Sequence, residues 1–183
     1  MNVITTHIEG LLIFEPRVFH DDRGYFFESY NKKTLKEMAG VEIDFIQDNQ
    51  ARSTKNVLRG LHYQNAPHPQ TKLIRALEGV IWDVAVDIRK GSKTFGQWFG
   101  VELSAENKRQ FLIPHGFAHG YSVLSDTAEV FYKCDDFYSK PDEGGVFYAD
   151  PALNIDWKIA PELAIISEKD EKQPLLKDAV IKF

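Results

Sequence analysis

Two-residue alternation of apolar and polar positions dominates this chain. It is cleanest in Ile81-Trp82-Asp83-Val84-Ala85-Val86-Asp87-Ile88. There Trp82, Val84, Val86 and Ile88 fall on one face of a strand, and Ile81, Asp83, Ala85 and Asp87 on the other. Shorter runs of this kind span Gly10 to Phe14, Gly24 to Tyr30, Leu73 to Leu77, Trp98 to Leu103, Gln110 to Ile113, Gly120 to Leu124 and Ala128 to Asp135. Turn chemistry separates them: Asp21-Asp22-Arg23-Gly24, Glu78-Gly79, Lys90-Gly91-Ser92 and Ser125-Asp126-Thr127. So many strands with so few helices predict an all-β sandwich or jelly-roll barrel. Helical signals are limited to two places. Asn31 caps a helix over Lys32 to Ala39, ended by Gly40, with Leu35, Met38 and Ala39 inward. Ser104 to Asn107 reads as one turn. From about residue 150, Pro151, Pro161 and Pro174 punctuate an extended carboxy-terminal arm with short helical turns. No repeat or linker divides the chain, so residues 1–183 read as one domain. The apolar runs Gly10 to Phe14 and Gly24 to Tyr30 are expected to leave an unpaired edge, which a second copy in a two-fold dimer would cover.

Composition narrows the possibilities. With 183 residues, 43% hydrophobic and 27% charged, the chain can bury a real core. A net charge of −5 makes the chain a poor candidate for nonspecific nucleic-acid binding, which relies on dense Lys and Arg, so any anion must sit in a local basic pocket. The lone Cys134 permits no intrachain disulfide and no cysteine zinc motif. No apolar run is long enough to span a bilayer, and Met1 to His7 lack the regions of a signal peptide, so a cytoplasmic location is expected.

Four places carry candidate chemistry. Arg59-Gly60-Leu61-His62, followed by Lys72, combines a phosphate-binding fork, a titratable imidazole and a second cation. Taken alone it also reads as a surface Arg, a core His and a solvated Lys. Pro114-His115-Gly116-Phe117-Ala118-His119-Gly120 has the Pro-x-Gly-x-x-His spacing of the second cupin motif. The His-x-His pair of metal-binding cupins is absent, because Tyr63 and Gln64 follow His62, and His68 lies in a Pro-rich loop. No metal site is therefore expected. Tyr132 is either a core tyrosine or a phenol facing a cavity as a proton donor. In Ser167-Glu168-Lys169-Asp170, Asp170 can orient His62 as the carboxylate of a triad does, or belong to a solvated charge cluster.

Taken in order, these and further motifs resemble the dTDP-4-dehydrorhamnose 3,5-epimerase family. The elements are Asp22-Arg23-Gly24 with Phe27-Glu28, Gln47-Asp48-Asn49, Leu58 to His62, Gln70-x-Lys72-Leu73-x-Arg75 and Asp83 to Asp87. Pro114 to Gly120, Tyr132-Lys133, Asp150-Pro151, Ile155-x-Trp157 and Ser167-x-Lys169-Asp170 complete the set. The resemblance runs from about Glu15 to Asp170.

The resemblance implies a cupin-like jelly roll, metal-free and without cofactor, usually a homodimer, acting on dTDP-4-dehydro-6-deoxy-D-glucose. It implies His62 as the base for the C3 and C5 protons, Asp170 as its aid, Lys72 at the C4 enolate and Tyr132 as the acid on the opposite face. Arg23, Arg59 and Lys169 resemble diphosphate partners. Glu28, Gln47 and Asn49 resemble nucleotide contacts. His119 and Glu143 would line the sugar site, and Tyr138 would stack on thymine. Three other readings stay open: inversion of one centre or keto-group isomerisation by a close relative, a metal-dependent cupin oxygenase, and a non-catalytic sugar-binding jelly roll.

Overall fold

A computed structural model describes residues 1–183. The amino-terminal part carries β1 (Asn2–Thr5), β2 (Leu12–Glu15), the short hairpin β3 (Phe19–Asp21) and β4 (Gly24–Phe26), helix α1 (Lys32–Ala39) and β5 (Gln47–Thr54). The chain continues through β6 (Leu58–Gln64), β7 (Lys72–Glu78), β8 (Val80–Asp87), β9 (Trp98–Ser104) and β10 (Gln110–Ile113). After β11 (Phe117–Val123), β12 (Thr127–Cys134) and β13 (Glu143–Gly145), the arm holds one short helix, α2 (Glu168–Glu171), and isolated turns.

The strands form a six-stranded sheet, β1-β2-β10-β7-β12-β5, and a five-stranded sheet, β13-β6-β11-β8-β9. The alternation predicted for β8 explains how they stack. Its odd-numbered apolar residues Ile81 and Ala85 join Ile13, Ile74, Phe111 and Val130 in a core between the sheets. Its even-numbered residues Val84, Val86 and, just beyond the strand, Ile88 pack outward against Leu153, Trp157 and Ile181 of the arm. The five-stranded sheet is thus buried on both faces. Its apolar residues are removed from water at roughly 1.5–3 kcal/mol apiece for the larger side chains.

The single long helix forms where the capping residues place it. Asn31 Oδ1 accepts from the amides of Lys33 and Thr34, and Gly40, at φ +66°, closes the carboxyl end. Leu35 is buried as expected, but Met38 is 53% exposed because the helix packs through a narrow stripe. Three strand expectations also change. β2 lies between β1 and β10, so it is not an unpaired edge. Gly24 to Tyr30 is a strand only to Phe26, in an exposed hairpin rather than in a core sheet. The open edge of the six-stranded sheet beside the site is instead β5, whose polar sequence Gln47 to Thr54 carries no apolar alternation and gave no strand signal.

Candidate active site

A β-bulge builds the first wall. In β6 and β11, His62 stands opposite His119 and Arg59 opposite Tyr121, so one residue is extra on β6. Residues 59 and 62 would point to opposite faces of a regular strand. The bulge at Gly60 and Leu61 turns Arg59 and His62 to the same inner side. Gly60 has φ +129°, and a Cβ there would lie 2.5 Å from Gly120 Cα, so only glycine fits. A cleft of about 480 Å³ opens beside Arg59 and His62, bounded also by Lys169 and Asp170.

The bulge also holds the dyad. His62 Nε2 lies 2.6 Å from Asp170 Oδ1, and the Gly60 amide donates to Asp170 Oδ2 at 3.3 Å. Asp170 is 3% exposed. Its place is set by α2, where Ser167 caps the helix through the Asp170 amide. Burial works to raise the Asp170 carboxyl, but His62 and the Gly60 amide outweigh it and hold it below the usual carboxylate range. A carboxylate at Nε2 fixes the imidazole with its proton there and leaves the lone pair on Nδ1.

The second wall comes from the other sheet. Lys72 opens β7, Tyr132 lies on β12 opposite Asn49 of β5, and Cys134 lies opposite Lys72. Burial lowers the Lys72 ammonium from the usual lysine range, against the pull of Asp83 and Glu143. Burial pushes the Tyr132 phenol up to about 12 and the Cys134 thiol up to about 11, so both stay protonated at neutral pH. Between the walls, His119 Nε2 donates to both carboxylate oxygens of the fully buried Asp83, each at 3.0 Å. Desolvation pushes Asp83 up and His119 down. Asp83 was not among the expected site residues. Its signal was available: an Asp between Ile81 and Ala85 on the face that builds the core.

A rim of polar groups surrounds this centre. Glu143 is hydrogen-bonded to Lys169 and to the Tyr138 hydroxyl. Burial favours its protonated form, but the Lys169 ammonium prevails and keeps the carboxyl below the usual range. Gln47 Oε1 accepts from the Tyr138 amide, and its Nε2 donates to Asn49 Oδ1. These contacts link Gln47, Asn49, Tyr138, Glu143 and Lys169 along the cleft between β5 and β13. Two expected residues stand apart. Arg23 is 90% exposed and paired with Asp21 in the β3–β4 hairpin. Glu28 accepts from Asn31 and Thr34 at the start of α1. Neither bonds to any central residue. No three His, Cys, Asp or Glu side chains converge as a metal site would require.

An imidazole held by a carboxylate on one wall, with a phenol and an ammonium on the other, is an arrangement chemically able to move protons at carbon. Comparison with known proteins points the same way. The family model described as dTDP-4-dehydrorhamnose 3,5-epimerase matches residues 5–178. The chain is 56% identical over 170 residues to dTDP-4-dehydrorhamnose 3,5-epimerase of Shigella flexneri, covering 93% of each chain. The crystal structure of the Elizabethkingia anophelis dTDP-4-dehydrorhamnose 3,5-epimerase superposes with a TM-score of 0.93 at 53% identity, covering 97% of each chain. A Legionella pneumophila dTDP-6-deoxy-D-glucose-3,5-epimerase in complex with dTDP-4-keto-L-rhamnose gives a TM-score of 0.93 at 51% identity, over 97% of this chain and 93% of that one.

Proposed function

The chain belongs to the dTDP-4-dehydrorhamnose 3,5-epimerase family, and we propose that it inverts C3 and C5 of dTDP-4-dehydro-6-deoxy-D-glucose to give dTDP-4-dehydro-L-rhamnose. The observation that carries this reading is His62 of one sheet, held by Asp170 of α2, across the site from Lys72 and Tyr132 of the other sheet. The C4 carbonyl acidifies the hydrogens on both neighbouring carbons. His62 Nδ1 takes one of them, and the imidazolium is stabilised by Asp170. The electron pair of the broken C–H bond moves into the C4 enolate. Lys72, deprived of solvent, meets the negative charge on that oxygen where it is worth most. Tyr132, protonated at neutral pH, gives its proton to the opposite face of the carbon and inverts it. His62 then loses its proton to solvent and the Tyr132 phenolate regains one. The same cycle at the second carbon completes the reaction without metal or redox cofactor.

The rim supports the substrate assignment. Arg59 offers a guanidinium edge to a diphosphate, with Lys169 beside it, and Gln47, Asn49 and Tyr138 offer amides and an exposed ring to a nucleoside. Glu143 and His119 border the sugar. Within one chain Arg23 pairs with Asp21 and Glu28 with Asn31 and Thr34, and neither bonds to this site. In the two-fold dimer we propose, the hairpin would reach a neighbour's cleft. Its exposed Phe19, Tyr25 and Phe26 support such a contact. No helix is long and apolar enough to cross a membrane, and a cytoplasmic setting suits a nucleotide-sugar enzyme whose one cysteine is a buried thiol.

Incubation with the 4-keto sugar nucleotide in deuterium oxide tests the reading. Proton NMR should show deuterium at C3 and C5 and an L-configured product. Label at one carbon only would establish single-centre inversion instead, and no label would sink the enzymatic reading.

A further inference from the structure

Only two buried side-chain polar atoms in the protein lack a hydrogen-bond partner, Trp82 Nε1 and Tyr121 Oη. Trp82 lies on the outer face, against Gly100 and under Lys158. Tyr121 lies on the inner face of β11, 5% exposed, among the residues that join the two sheets. An orphaned buried hydroxyl costs roughly 1–3 kcal/mol, so its position calls for a reason.

The surroundings of Tyr121 supply one. It stands opposite Arg59 across the bulged β6–β11 pair. Arg59 Nε donates to Ser53 Oγ at 3.0 Å, and Ser53 is itself 7% exposed on the β5 wall. Tyr121 Oη lies beside both groups, and their proximity works against the burial that raises its pKa. The other nitrogens of Arg59 have no protein partner, and the residue faces the open cleft. A guanidinium recognises a diphosphate through two parallel N–H bonds only if its plane is fixed. Ser53 alone leaves the group free to swing about one hydrogen bond.

We propose that Tyr121 is a positioning residue for Arg59: its buried hydroxyl, unpaired beside the guanidinium, accepts from the inner edge when the outer edge meets the diphosphate of the substrate and, with Ser53, holds the plane in which that edge binds. The hydroxyl touches neither the sugar nor the reacting carbons. The inference rests on the proposed substrate class, because it needs a diphosphate at Arg59. It places the effect of Tyr121 in binding rather than in proton transfer.

The test uses full-length protein and thymidine diphosphate as the probe, with binding measured by calorimetry and turnover measured separately. Tyr121→Phe keeps the ring and the packing. It should weaken thymidine diphosphate binding and raise KM by about 10–100-fold, the loss of one hydrogen bond to a charged group, while kcat and deuterium exchange at saturation stay within about twofold. In an Arg59→Lys background the same change should have no further effect, because the plane it fixes is gone. Unchanged binding by a folded Tyr121→Phe protein, or equal losses in both backgrounds, would overturn the positioning role, as would a wild-type protein that fails to bind thymidine diphosphate. Tight binding by wild type without turnover would instead reject the proposed reaction while the Tyr121 comparison still decides the positioning.

Discussion

Replacing Asp170 by Asn removes the charge of the dyad. Asparagine keeps the shape and, with its one oxygen turned toward His62 Nε2, keeps an acceptor for the imidazole, while its NH2 replaces the oxygen that accepts from the Gly60 amide at 3.3 Å. What the imidazole loses is the negative charge 2.6 Å away. Opposite charges at about 4 Å attract by ~4 kcal/mol at an effective dielectric of ~20. The His62 side chain is 31% exposed and Asp170 4%, so solvent screens part of this. About 3 kcal/mol then remains to stabilise the imidazolium formed in the transition state, or ~10²-fold in rate at 1.36 kcal/mol per decade. The change should fall on kcat, because the charge acts on the imidazolium formed as the carbon-bound proton is taken. It should also slow deuterium incorporation and inversion equally, since both follow proton removal. Steady-state kinetics on a folded variant, with melting temperature as control, gives the answer. A loss of less than about tenfold, or one confined to KM, would refute the argument that Asp170 acts electrostatically on the base.

Further outcomes follow from other residues. His62→Ala should lose both exchange and product by ~10²–10⁴-fold, whereas Tyr132→Phe should still incorporate deuterium while making little inverted sugar; NMR of both variants checks this, and normal inversion by Tyr132→Phe would remove its role as acid. Gly60→Ala should destabilise the fold by roughly 1–3 kcal/mol and lower kcat, because its Cβ meets Gly120 and its amide holds Asp170; urea unfolding and kinetics on the same sample are sufficient, and a neutral result would show that the bulge relaxes easily. Asp87, held by Arg89, Ser92 and Thr94 against its burial, has its carboxyl lowered from 3.8 to about 2. Its folded-state value lies below the unfolded one, so its roughly 2 kcal/mol is present above about pH 4 and lost as pH falls toward 2; the Asp87→Asn deficit in urea unfolding should shrink over that window and no other. Chelation by EDTA should leave turnover unchanged, and activity restored by one added metal ion would contradict the role given to Lys72.

Much of the barrel was legible because its strands alternate. The period in Ile81 to Ile88 separates the two faces of β8 without any coordinates, and Asn31 with Gly40 brackets α1. The misses share a physical cause. β5 is an edge strand whose side chains face solvent or the polar cleft, so no apolar alternation marked it. β13 is a three-residue strand made by tertiary pairing with β6. Gly24 to Tyr30 is apolar for a surface hairpin, and its alternation reads as a longer strand at the edge of the barrel.

The ordered motifs from Asp22 to Asp170 were enough to place the chain in its family and to single out His62, Lys72, Tyr132 and Asp170 as candidates. They are local patterns, each written in a few consecutive residues. What the tertiary structure decided is which side chains meet. His62 and Asp170 are 108 positions apart and in contact, a pairing that depends on the arm folding back over β6. Arg59 and His62 share a face only through the bulge at Gly60, which reverses the two-residue period on which sequence reading relies. Asp83, Ser53 and Tyr121 gain meaning the same way, as polar atoms buried between two sheets that only close packing brings together. Periodicity determines which way a regular strand faces; where a strand departs from regularity, and what lies across from it, depends on contacts between residues far apart in the chain.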